Sequence, residues 1–123
     1  MKLDFDVLEK LLAHLEENTN GYRPVMLSGQ AAALGSIDGD TVLYHAKVLH
    51  DAGMIDASVS RPLSGPPTYA VLSLTWQGHQ LLEGMRNDTL KAKIVGHIKS
   101  LGMEGLKQAP ALLVGALARE AGI

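Results

Sequence analysis

Apolar side chains recur through the first eighteen residues at the spacing of one helix face. Phe5, Leu8, Leu11, Leu12 and Leu15 share a stripe, while Glu9, Lys10, Glu16 and Glu17 take the opposite side. Asp4 stands where a side-chain oxygen accepts from the free amides of a first turn, so a helix is expected from there to about Asn18. "NTNGYRP" (18–24) stops it, because Asn and Gly tolerate left-handed backbone and Pro24 cannot continue a helix. Val25, Met26 and Leu27 follow as a short strand. Ser28 then caps a short helix over residues 30–34 that Gly35 closes. Asp38 is the expected cap of the next helix, whose inner stripe is Val42, Ala46 and Leu49 with Leu43 beside it; Gly53 ends it.

The period then changes. "MIDASVS" (54–60) and "TYAVLSL" (68–74) read as two strands of a hairpin, and "RPLSGPP" between them is too rich in Pro and Gly for regular structure. Thr75 caps "WQGHQLLEGMRN", with Trp76, His79, Leu82 and Met85 near one face. Asn87-Asp88-Thr89 breaks that helix and caps another, "LKAKIVGHIKSLG", in which Leu90, Ile94, Ile98 and Leu101 align. Residues 103–123 form a last helix disturbed by Pro110, with Leu106, Leu113 and Leu117 on its apolar side. Helix, short strand, helix, helix, two strands, helix is the order of a winged helix-turn-helix. The expected fold is therefore α+β and mainly helical, with a two-stranded wing and extra C-terminal helices. Residues 1–87 make the winged-helix domain. Residues 88–123 make a helical extension that packs on it or on a second copy.

Composition narrows the classes. Of 123 residues 46% are hydrophobic and 20% charged, which suits a folded soluble domain. No apolar run approaches the roughly 18–20 residues of a membrane span, and no signal-peptide core follows Met1, so a cytoplasmic protein is expected. Without cysteine there is no disulfide, no thiol nucleophile and no Cys-ligated zinc. The formal net charge of −2 argues against unselective binding of polyanions. Residues 1–60 hold four basic against nine acidic side chains, and residues 61–123 hold seven against four.

Three stretches carry a resemblance. "MKLDFDVLEKLLAHLEEN", "YHAKVLHDAGMIDA" and "LTWQGHQLLEGMRNDT" are similar to a group of small phage and prophage proteins catalogued only as a domain of unknown function. The likeness covers most of residues 1–90. It departs after Asp88-Thr89, where Lys91-Ala92 stands in place of an aromatic residue. It implies a winged-helix fold and a mobile-element origin, and it brings no functional residue with it.

The candidate DNA- or partner-binding residues are Thr41, Tyr44, His45 and Lys47 on the second helix of the pair, with Arg61 on the wing. Thr, Lys and Tyr can bond phosphates, and Thr and Lys also base edges. The commonest specific contact, Arg to guanine, has no candidate on this helix, and Asp38, Asp40 and Asp51 would repel phosphate. Trp76 and His79, three apart, read as a hydrogen-bonded part of the core, since nothing supplies the three or four ligands of a metal site. "DGD" (38–40) lacks the remaining ligands of a calcium loop and is better explained by capping. No cluster carries catalytic chemistry, so neither enzyme activity, metal nor cofactor is expected. Arg86, Lys91, Lys93, Lys99 and Lys107 read by default as a solvated face, with a platform for nucleic acid or an acidic partner as the sharper alternative. The run 109–118, apolar nearly all round, needs a partner surface, either its own domain or a second copy in a homodimer. The leading expectation is a DNA-binding transcriptional regulator acting on double-stranded DNA. The alternative is a protein-binding winged helix, such as a phage inhibitor of a host enzyme or defence (anti-CRISPR-like) complex.

Overall fold

The structure is a computed structural model that describes the backbone of residues 2–120 and the side chains of residues 2–111. The expected apolar positions Leu113 and Leu117, and most of the run 109–118, lie outside the described side chains. Five helices and three strands follow in the order α1 (Phe5–Asn18), β1 (Val25–Ser28), a 3-10 helix (Gly29–Ala32), α2 (Gly39–Asp51), β2 (Ile55–Ser60), β3 (Thr68–Leu74), α3 (Trp76–Met85), α4 (Asp88–Leu101) and α5 (Met103–Glu120). The fold is α+β and mostly helical. Its antiparallel sheet has the order β1-β3-β2, an arrangement compatible with a winged helix.

The helices begin where their side chains satisfy free amides. The Asp4 carboxylate accepts from the Asp6 and Val7 amides, Thr75 from Gly78 and Asn87 from Leu90. Leu8, Leu11, Leu12 and Leu15 are fully buried, each stabilising the fold by roughly 1.5–3 kcal/mol relative to exposure. They meet Val42, Ala46 and Leu49 of α2, Val71 and Leu74 of β3, and Leu81, Leu82 and Met85 of α3 in one core. Leu90, Ile94 and Ile98 of α4, with Leu106 and Ala109 of α5, join that same core. The ion pairs of Lys91 Nζ with Glu9 (2.9 Å) and Asp6 (3.0 Å) tie α4 to α1.

Three local expectations are corrected. The short helix over residues 30–34 shrinks to the 3-10 turn Gly29–Ala32, and Ser28 caps nothing there. Ser28 is extended and paired with Thr68, whose hydroxyl donates to Ser28 Oγ (3.1 Å). Leu34 and Ile37 then exchange backbone hydrogen bonds across a tight turn in which Gly35 takes positive φ, so the chain reverses instead of coiling on. Asp38 precedes α2 as expected, but its carboxylate accepts from the Thr41 hydroxyl (2.5 Å) and not from a backbone amide. The Gly39 amide turns to Gln30 Oε1 instead (3.4 Å). The third correction concerns α3. Its buried side is Gly78, Leu81, Leu82 and Met85, which leaves Trp76 and His79 outside the core.

Candidate binding surface

The outer side of α2 is built by exclusion. Once Val42, Leu43, Ala46 and Leu49 face the core, helical spacing leaves Asp40, Tyr44, Lys47, Val48 and Asp51 toward solvent, some of them partly covered. Of the five candidate residues, the structure brings Tyr44 and Lys47 to this side. Thr41 sits at its border, with its hydroxyl committed to Asp38.

His45 does not belong to the surface. It is completely buried, and both ring nitrogens are engaged. The Asp4 amide donates to Nε2 (2.9 Å), and Nδ1 lies 2.7 Å from the Thr41 carbonyl oxygen. An amide can only donate and a carbonyl only accept, so the ring is the neutral tautomer with its proton on Nδ1. His45 thus ties the start of α1 to the second turn of α2. The spacing Val42, His45, Leu49 is itself that of a buried face, which is the signal that could have revealed this.

Lys47 is exposed but not available as a bare charge. Its Nζ donates to Asp51 Oδ2 at 2.6 Å, one helical turn on. That hydrogen bond raises the Lys47 pKa and lowers that of Asp51. Arg61 begins the loop between β2 and β3, exposed and without an ion pair among the described residues; its charge is felt at both Lys47 and Asp51. The Thr41 hydroxyl holds the Asp38 carboxyl below the usual carboxylate range, so it too is charged at neutral pH. The charges along this side of α2 are therefore three carboxylates, Asp38, Asp40 and Asp51, against one lysine already paired to one of them.

Beside these charges lies an apolar recess of about 320 Å³. Tyr44 and Val48 form its α2 wall, and Leu3, Ile98, Met103 and Leu106 close it from the N-terminus and the α4–α5 elbow. Sequence reasoning missed it because its walls come from four separate segments. The elbow itself exposes Leu101 and Met103.

The chain matches the family described as "Hypothetical protein (DUF2513)" over residues 2–104. It belongs to that family. An uncharacterized protein of Haemophilus influenzae is 35% identical over 112 residues, covering 88% of this chain and 91% of the relative. No solved structure matches the chain significantly. The DUF2513 match extends beyond residue 90, through α4 and as far as the first two residues of α5. Much of the "AGMI" and "LTWQGH" stretches of this DUF2513 chain is explained by one joint. Thr75 Oγ1 donates to the Gly53 carbonyl (2.7 Å), the Thr75 amide donates to Met54 O (3.0 Å), and Gly78 lets Met54 O approach where a Cβ would stand 2.0 Å away. Leu74, Thr75 and Gly78 thereby seat α3 on the turn after α2. Trp76 and His79, in the same stretch, contribute nothing to that joint.

Proposed function

We propose that this chain is a winged helix that uses its α2 side to dock on a protein rather than to read DNA. The observation that carries this reading is the charge of the α2 surface: three carboxylates and a lysine bonded to one of them, beside an apolar recess. In a major groove such a surface sets carboxylates among phosphates. Freeing Lys47 for a phosphate breaks its bond to Asp51 and leaves another bare carboxylate there. A protein surface, by contrast, offers apolar side chains for the recess and cations for the carboxylates. The resemblance to phage and prophage proteins favours a host enzyme or defence complex as the partner.

The experiment is affinity purification of tagged chain from cells that carry it, with nuclease present. A stoichiometric protein partner is expected, and it is lost when Val48→Glu places a charge in the recess. Recovery of the bait alone, or of a partner indifferent to Val48→Glu, contradicts the reading.

One observation favours the DNA-binding regulator as a second reading. Arg61, unpaired among the described residues on a loop between two antiparallel strands, is where a wing meets flanking phosphates. That reading requires duplex binding that weakens steeply with salt.

A further inference from the structure

Trp76 is 69% exposed, although it opens a helix whose next residues anchor it firmly. An indole held on a rigid helix and left in water is a feature of interaction surfaces, where Trp is enriched. It does not stand alone. Trp76, His79, Glu83 and Arg86 are all exposed and follow one another at i, i+3, i+7 and i+10, so they form one outward stripe along α3 and its C-terminal cap.

The order of chemistry along that stripe is self-complementary. Set a second α3 antiparallel against the first, about a two-fold axis at the level of Leu81. Trp76 then faces Arg86 of the second copy, and His79 faces Glu83. Both pairings are attractive, the first a guanidinium over an indole face and the second an imidazole N–H donating to a carboxylate. Two-fold symmetry makes each of them twice. A parallel alignment puts each group against its own kind and gains neither. Glu16 of α1 flanks the stripe, with Oε1 3.2 Å from Arg86 Nη1 and Oε2 3.5 Å from His79 Nδ1, and Glu83 Oε1 lies a longer 3.9 Å from the same Nη1 within its own copy, a loose contact that pairing with His79 of a second copy replaces. No hydrogen bond joins His79 to Glu16, so the ring can carry its proton on Nε2 and donate it to Glu83 of the second copy, while the face of the guanidinium stays open to the indole.

We propose that α3 is a self-association surface, through which two copies of this chain pair antiparallel along Trp76, His79, Glu83 and Arg86. It is independent of the α2 surface and of whatever docks there. The contact rests chiefly on one ten-residue helix, so the dimer belongs at the weak, small-interface end of stable association.

Trp76 is the only tryptophan in the chain, so its emission reports the contact directly. Sedimentation equilibrium and fluorescence of the full chain over about 5–500 µM should show a monomer–dimer equilibrium, with emission moving to the blue as dimer forms. Glu83→Arg should weaken association about tenfold or more without loss of helix content, because the position is exposed. Trp76→Ala should do the same by sedimentation. The chain has no cysteine, so Gln80→Cys places a single thiol beside the axis. Its oxidation should give a disulfide dimer, whereas Lys107→Cys on α5 should not. A chain that stays monomeric throughout the range, or a dimer indifferent to both Trp76→Ala and Glu83→Arg, overturns the proposal.

Discussion

His45 and Gly78 show how much of this molecule is decided by single atoms. His45 holds the Asp4 amide and the Thr41 carbonyl at once, so His45→Ala removes two hydrogen bonds and opens a void in the core. A loss of about 2–4 kcal/mol is expected in urea unfolding. Nitrogen NMR of the ring should find the proton on Nδ1; a proton on Nε2 contradicts the assignment. Glycine provides a matched pair of tests. Gly78→Ala drives a Cβ onto Met54 O and should cost about 2–3 kcal/mol, since the clash is with backbone. Gly96→Ala, on α4 with open space around it, should instead stabilise by about 0.5–1 kcal/mol. The sequence marks both glycines alike as weak points of a helix. Only the approach of Met54, twenty-four residues earlier, separates them. The misreading of Trp76 and His79 has the same root: at a helix start three-residue spacing fits two neighbouring faces, and the packing of α1 against α3 chose between them.

At the scale of elements, the long helices and the hairpin were legible because their periods are long enough to show which side is buried. α1 lies where Asp4 and the leucine stripe predict, and β2 and β3 bracket "RPLSGPP". The segment between β1 and α2 was less legible, since four or five residues carry too little periodicity to separate a 3-10 turn from an α-helix. The recess was not legible at all. Charges on these elements make a prediction about pH. The carboxyls of Asp51 and Asp38 are held low by hydrogen bonds from Lys47 and Thr41, so their stabilisation is present above the ordinary carboxylate value of 3.8 and fades as pH falls through their lowered folded values. Lys91 is raised by its bonds to Glu9 and Asp6, and Tyr69 is raised by burial. Their stabilisation is present below the ordinary values of 10.5 and 10.0 and fades as pH rises through the higher folded ones. A plot of Tm against pH should therefore be level between these limits with respect to these groups. Asp51→Asn should soften the acid limb and Tyr69→Phe the alkaline one; unchanged limbs in both variants contradict these couplings.

Across the whole molecule, the element order suggests a DNA reader and the side chains on α2 argue otherwise. The conflict was visible in the amino-acid sequence as a helix without arginine among aspartates. Weighing the two sides needed coordinates, because the Lys47–Asp51 pair, the burial of His45 and the recess beside Tyr44 and Val48 are properties of the folded molecule. On the proposed function, this surface meets protein. The most direct test is an anisotropy titration of the full chain against a random-sequence duplex pool at about 50 mM salt, where phosphate contacts are strongest. No saturable complex is expected, and Lys47→Ala and Arg61→Ala should change nothing. A complex whose affinity falls steeply with salt and is lost in those two variants would contradict the proposed function.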